Sequence, residues 1–361
     1  MIDEIIYLGK LKTWSIFKDR LTRDHPLLYL FWECTLRCNF FCKHCGSNAD
    51  RKGDEKELST SEIKETLKSI SKDFNPKDIM IAITGGEPLL RSDLFEVMEY
   101  ASGLGFRWGM VTNGFLVNEK TVEKMKKAGM GTVVVSIDGI GKTHDRFRGV
   151  DGAFNRAIEA VKLLAKEDFL SDLQITTSVH PEALDQLEQM YETFLPLGIN
   201  SWRLINIDPI GRAENSEVLL NKKGYVKLLD FIKKKRKKSK IDITYGCSGF
   251  LGPRYEGKVR KNFFFCRTGI SIGSILNNGD IYVCPNVPRV PELIQGNVRK
   301  DRFSDVWNNK FEFFRDKKRT ECEECRKCSE WDNCLGGSLH DFDFKNKKPK
   351  LCQYKFIYGD E

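Results

Sequence analysis

The sequence predicts an α/β protein, a partial (β/α)6 barrel of TIM type that is open on one side, followed by a smaller cysteine-rich domain. Three observations carry this. Apolar or β-branched runs alternate with amphipathic stretches between residues 28 and 212. The runs are apolar on both faces, as in a parallel sheet covered by helices. Eight of the twelve cysteines fall between 247 and 352, after the alternation has stopped.

The first run, "LLYLFWE", lies in "HPLLYLFWEC", a stretch too short to span a bilayer, and reads as a buried strand. "DIMIAIT", "FRWGMVT", "GTVVVSI", "LQITTSV" and "SWRLINI" follow as the other five. Between them "TSEIKETLKSISK", "VEKMKKAG" and "AFNRAIEAVKLLAKE" carry apolar residues at intervals of three and four, the pattern of helices with one buried face. Six repeats rather than eight leave the barrel incomplete. Chemistry in such sheets gathers at the C-terminal ends of the strands.

Past residue 212 the sequence predicts a helix near 224–238, a hairpin at "SILNNGDIYVC" turning on Asn-Asn-Gly, and an amphipathic helix at "RFSDVWNNKFEFFRD". The expected divisions are an N-terminal extension over 1–27, the barrel over 28–212, a bridging helix over 213–246, and the cysteine-rich domain with its tail over 247–361. The last has too little core to stand without metal.

Hydrophobic residues at 40% and charged residues at 30% mark a globular chain rather than a disordered one. The N-terminus "MIDEIIYLGK" is acidic and lacks a basic-then-apolar signal, so a soluble, cytoplasmic protein without a membrane partner is expected. In that compartment twelve cysteines favour metal or redox chemistry over disulfides. The formal charge of +8 comes largely from "KKKRKKSK" at 233–240, which reads as the solvated end of a helix, and no nucleic-acid partner is expected.

The chemistry begins at "CNFFCKHC", directly after the first strand. Cys38, Cys42 and Cys45 place three thiolates in one loop at the barrel mouth. A structural metal knuckle would need a fourth local ligand, and the only nearby cysteine, Cys34, falls within the strand. Three thiolates can instead hold three irons of a four-iron cluster and leave the fourth iron open.

The spacing C-x3-C-x2-C resembles that of the radical S-adenosylmethionine superfamily, and further motifs follow in the family's order. "TGGEP" at 84–88 resembles its Gly-Gly-Glu-Pro loop, where Gly85 and Gly86 permit close backbone approach and Glu87 or a neighbouring carbonyl accepts from the cofactor ammonium. The resemblance implies a cofactor contact at Asn113 in "TNG" and at Ser136 and Asp138 in "VSIDG". Arg148 in "HDRFRG" would supply a cation to the methionyl carboxylate, and Asn206 and Gly211 in "INIDPIGRA" would lie along the adenine. His44 stands where the family often has an aromatic.

The later cysteines resemble a SPASM domain, which carries auxiliary iron–sulfur clusters. Cys266, Gly279 and Cys284 fit the first half of its signature; Cys325, Cys328, Cys334 and Cys352 fit the second. The departure is Ser338, at a cysteine position that the family uses to close the inner cluster. Two extra cysteines, Cys247 and Cys322, make the number up to eight, enough for two auxiliary [4Fe-4S] clusters. Cys322 is expected to take the vacant place beside Cys247, Cys266 and Cys284, leaving Cys325, Cys328, Cys334 and Cys352 for the outer cluster.

The resemblance implies an enzyme that cleaves S-adenosylmethionine bound to the first [4Fe-4S] cluster and oxidatively modifies a side chain of a peptide or protein. A flavodoxin- or ferredoxin-type electron donor is implied with it. Modification of a small molecule or tetrapyrrole is the alternative, as is anaerobic sulfatase maturation. Sulfatase maturases place an aspartate where this chain has Pro285. The segment 1–27 is short for a leader-binding domain, so leader recognition is expected to be absent or supplied by another chain.

Overall fold

The computed structural model describes residues 2–53, 56–214, 217–246 and 248–359. Six parallel strands form at the six apolar runs: β1 (Tyr29–Thr35), β2 (Met80–Gly85), β3 (Arg107–Thr112), β4 (Thr132–Ser136), β5 (Asp172–Val179) and β6 (Ser201–Asn206). They pair in chain order.

The sheet is larger than six strands. β7 (Asp242–Tyr245) pairs in parallel with β6, and β8 (Ile272–Ile275) pairs in parallel with β1 at the other end. β9 (Asp280–Tyr282) and β10 (Gly296–Asn297) continue antiparallel, giving the order β10-β9-β8-β1-β2-β3-β4-β5-β6-β7. The stretch 213–246 therefore holds a strand as well as a helix, and the cysteine-rich half extends the barrel's own sheet. β7 is only four residues long, too short to show a period beside long apolar runs. The hairpin forms as expected between β8 and β9, with Gly279 at φ +88° in its turn.

Among the described residues, helices up to residue 309 frame the sheet. They are α1 (Ile2–Asp24), α2 (Thr60–Asp73), α3 (Leu94–Gly103), α4 (Glu119–Lys127), α5 (Lys142–Arg148), α6 (Ala153–Leu164), α7 (Pro181–Asp185), α8 (Leu187–Phe194), α9 (Lys222–Arg236) and α10 (Phe303–Asn309). α2 starts at a capping box between Ser59 and Glu62 and buries Ile63, Leu67 and Ile70. The "RFSDVWNNKFEFFRD" helix breaks after Asn309 and resumes as one turn, Glu312–Arg315.

The basic run closes α9, where lysines favour the negative end of the helix dipole. Two of its residues are paired, Lys235 with Glu188 at 2.5 Å and Arg236 with Asp242 at 3.1 Å. α1 lies on the C-terminal half: Trp14 Nε1 donates to the Phe264 carbonyl at 3.3 Å and Lys18 Nζ to that of Asp332 at 2.9 Å. Among the described residues no helix is long and apolar enough to cross a membrane.

Arg91 fixes the end of β1. Its guanidinium donates to the carbonyls of Cys34 and Leu58, both at 2.8 Å, pairs with Asp93 and lies over the Trp32 ring. Arg91→Met would leave buried carbonyls unpaired and Asp93 without its cation. A loss of about 3 kcal/mol is expected, read as a lower denaturant midpoint at constant slope.

Candidate active site at the sheet mouth

The cysteine loop leaves β1 at Thr35. Cys38 and Cys42 are buried and Cys45 is half-buried, and the Phe40 N–H donates to Cys38 Sγ at 3.4 Å. Burial pushes the Cys38 thiol up to about 12 and raises Cys42 as well. Binding a metal must therefore displace those protons. Among the described residues no three cysteine sulfurs converge within 4.8 Å, the spacing that would suit one ion. The donor set fits a multi-iron cluster. Cys34 sits in β1, fully buried in the apolar core.

The loop is held from four sides. At the end of β2, Gly85 has φ +129°, and a Cβ there would stand 2.1 Å from the Thr35 carbonyl oxygen. A Cβ at Gly86 would stand 2.1 Å from that of Arg37, so both positions require glycine. The Glu87 N–H donates to the Arg37 carbonyl at 2.9 Å. Its carboxylate, raised in pKa by burial, accepts from Thr112 Oγ1 and Asn113 N–H, each at 2.8 Å, and from Leu89 N–H at 3.2 Å. Asn113 in turn donates from Nδ2 to Asn39 Oδ1 at 2.8 Å.

From the third side, Arg148 at the end of α5 donates to Asp138 at 2.6 Å and reaches Cys42 Sγ at 3.7 Å. Burial opposes ionisation of Asp138, yet the Arg148 guanidinium keeps its carboxyl below the ordinary value. The Ser178 N–H adds a bond to Asp138 at 2.7 Å. Ser136 ends β4, buried, two residues before it. Next to this pair His44, Phe147 and His180 stack face to face, with centroids 4.6 and 4.0 Å apart. Burial lowers His44 to about 3, so the ring is neutral at physiological pH.

The fourth side was not expected from sequence. Arg212 Nε donates to the Cys42 carbonyl at 2.7 Å and its Nη1 to that of Ala49 at 3.1 Å, while the guanidinium covers the Phe41 ring. Gly211, at φ +57°, lets the backbone approach the Cys45 carbonyl, where a Cβ would stand at 2.4 Å. Nothing local in "GRA" marks this clasp, because the acceptors of Arg212 lie far back along the chain.

Above the loop opens a cleft of about 160 Å³, lined by His44, Ser47, Ser178, Asn206 and Asp208 from the barrel and by Pro285, Asn286 and His340 from the C-terminal half. Of the residues expected to contact a cofactor, His44 and Asn206 line this cleft. Gly85, Gly86, Glu87, Asn113, Arg148 and Gly211 instead touch the cysteine loop or its supports. Asn206 Oδ1 accepts from Ser248 Oγ at 2.7 Å and from Tyr245 Oη. A second group missed by the sequence reading faces the same cleft. Asp208, His340 and Asp341 converge, with His340 Nε2 3.0 Å from Asp208 Oδ2 and 3.8 Å from Asp341 Oδ2. Burial and the Asp208 carboxylate raise Asp341 towards neutrality.

In the C-terminal half the cysteines divide differently from the expectation. Cys322 lies with Cys325, Cys328, Cys334 and Cys352 around one cavity, its sulfur 3.0 Å from that of Cys325. It lies away from the expected inner set: it caps the turn Glu323–Arg326 and its Sγ accepts the Cys325 N–H at 3.3 Å. Cys266 is buried; against the effect of burial, the Arg319 cation, the Leu339 N–H and Thr268 hold its thiol below the ordinary value. Ser338, next to Leu339, is fully buried with Oγ unpartnered. Cys284 follows β9, also buried. Cys247 lies outside the described residues.

A parallel sheet whose first strand runs into a loop of three thiols, with a second thiol-rich unit on the same sheet, defines an iron–sulfur protein. The chain belongs to the radical SAM superfamily: residues 32–194 match that family's model, and residues 266–329 match that of SPASM, the iron–sulfur cluster-binding domain. It is 30% identical over 293 residues to an AdoMet-dependent heme synthase of Methanosarcina barkeri (strain Fusaro / DSM 804), covering 77% of this chain and 81% of the relative. It is 27% identical over 322 residues to the mycofactocin maturase MftC of Mycolicibacterium smegmatis, covering 88% and 79%. The fold is shared with Streptococcus suis SuiB bound to S-adenosylmethionine, at TM-score 0.70 and 18% identity, covering 92% of this chain and 77% of that one.

Arg212→Ala would leave the carbonyls of Cys42 and Ala49 without their donor. A stability loss of about 2 kcal/mol is expected, with less iron retained at the first cluster after desalting. Arg212→Lys is expected to restore little, since a point charge cannot reproduce the planar fork.

Proposed function

We propose that this enzyme oxidatively modifies a side chain of a peptide or protein, using S-adenosylmethionine bound at the cluster of Cys38, Cys42 and Cys45. The observation that carries this reading is the cleft itself, walled by His44 and Ser47 of the cysteine loop on one side and by residues of the C-terminal half on the other. When bound, the cluster and S-adenosylmethionine supply one-electron cleavage to a 5′-deoxyadenosyl radical, which takes a hydrogen atom from substrate.

The chain's own part is to hold and to screen. Arg148 sets a positive charge beside the Cys42 sulfur, and the Gly85–Gly86 turn keeps the loop on β1. Backbone carbonyls near Glu87 would accept from the cofactor ammonium, since the Glu87 carboxylate itself is buried and turned to Thr112, Asn113 and Leu89. Asn206 and the neutral His44 ring, which line the cleft, would flank the cofactor. In the C-terminal half the cysteines around Cys325 would hold an outer auxiliary cluster and Cys247, Cys266 and Cys284 an inner one, and such clusters would supply one-electron acceptors for the substrate. On this reading the reconstituted chain binds about twelve irons.

The peptide reading draws support from the similarity to the maturase MftC over most of both chains. A tetrapyrrole substrate is the second reading, favoured by the 30% identity to the heme synthase. Coexpression with candidate precursor peptides, followed by mass spectrometry, tests the first. Turnover with an iron porphyrin bearing propionates, followed by loss of carboxyl mass, tests the second. A peptide mass change with no porphyrin turnover is expected.

The radical step has its own test. Cys38→Ala, Cys42→Ala and Cys45→Ala are each expected to abolish 5′-deoxyadenosine formation, by at least about a thousandfold in rate, while far-ultraviolet circular dichroism stays close to wild type. A loop ligand at a strand end contributes to the site more than to the barrel core. A variant that still cleaves S-adenosylmethionine at the wild-type rate would refute the assignment.

A further inference from the structure

The outer cavity of the C-terminal half is lined by five cysteines, one more than a four-iron cluster binds. The surplus is not spread around the cavity. Cys322 caps the short helical turn Glu323–Arg326, its Sγ accepts the Cys325 N–H at 3.3 Å, and the two sulfurs are 3.0 Å apart. With metal–thiolate bonds of about 2.3 Å, two sulfurs on one tetrahedral metal stand roughly 3.7 Å apart, and sulfurs on different irons stand further apart still. A 3.0 Å separation is closer than either, so the pair occupies one corner of the site. Cys322 is also the more buried of the two, and thus no stray surface thiol.

We propose that Cys322 and Cys325 are interchangeable ligands for a single iron of the outer auxiliary cluster, with Cys328, Cys334 and Cys352 holding the other three. This rests on the reading of the C-terminal half as a cluster domain. Exchange would move one proton and no electrons: the incoming thiol releases its proton as its sulfur binds iron, and the departing thiolate takes one up. The helical turn that holds both sulfurs makes the substitution a side-chain rotation, without backbone movement.

The test uses the full chain with Cys38, Cys42 and Cys45 all changed to Ala, so that only auxiliary iron remains. It is reconstituted anaerobically and assayed for iron, sulfide and the electron paramagnetic resonance of the reduced clusters. Cys322→Ala and Cys325→Ala are each expected to keep the iron content of this parent. Combining them, or changing Cys328 to Ala, is expected to remove about four irons. The two single variants decide the matter even if the double variant does not fold. Loss of iron in Cys325→Ala alone would make Cys325 the sole ligand, and loss in Cys322→Ala alone would give Cys322 an indispensable place; either overturns the exchange. So does full iron content in the double variant. A parent that takes up no auxiliary iron, with Cys328→Ala no different from it, refutes instead the cluster-domain reading on which the proposal stands.

Discussion

The site depends on β1 being paired in parallel along both of its edges, with β2 on one side and β8 on the other. A strand with a free edge can slip or fray, and a loop leaving its end inherits that freedom. Here the strand is locked by two ladders, and its last turn is pinned from above by Arg91 and from the side by the glycines of β2. The three thiols therefore start from a fixed point. The same pairing brings the C-terminal half to the mouth, so that Pro285, Asn286 and His340 face His44 and Asn206 across the cleft.

Around this frame the charges are arranged in buried pairs rather than as a general field. Arg148 with Asp138 lies under Cys42, and Arg319 lies beside Cys266. An isolated buried guanidinium would be costly, and each is offset by a carboxylate, by carbonyls or by a sulfur that becomes anionic on binding iron. Asp208 and His340 meet at the cleft, with the buried Asp341 3.8 Å from the imidazole. The local cations matter more than the formal charge of the chain, because within a few ångströms screening by salt is weak.

What could be read from the sequence followed from how far apart the partners lie along it. Cys38, Cys42 and Cys45 are legible because one loop holds all three, and the six long strands because burial on both faces leaves an unbroken apolar run. Arg212 was missed because its acceptors, Cys42 and Ala49, are more than a hundred residues away and nothing in "GRA" announces them. His340 and Asp208 meet only because β8 and β9 return to the sheet. Four-residue strands such as β7 carry too few side chains to display a period. Cys322 shows the opposite failure: counting thiols assigned it to the inner set, while in the structure its sulfur lies against that of Cys325, three residues on.

The double pairing of β1 also bears on how the molecule is made. Tyr29 is joined to Ile272, so the second edge of the first strand waits for a partner synthesised about 240 residues later. Until then the nascent barrel presents an open ladder next to a loop of reactive thiols, a state prone to mispairing and to oxidation. Iron delivery to that loop before β8 has emerged would meet a mobile strand, whereas delivery afterwards would meet a settled one. The first strand of the sheet is thus fully paired only once residues near Ile272 have been made.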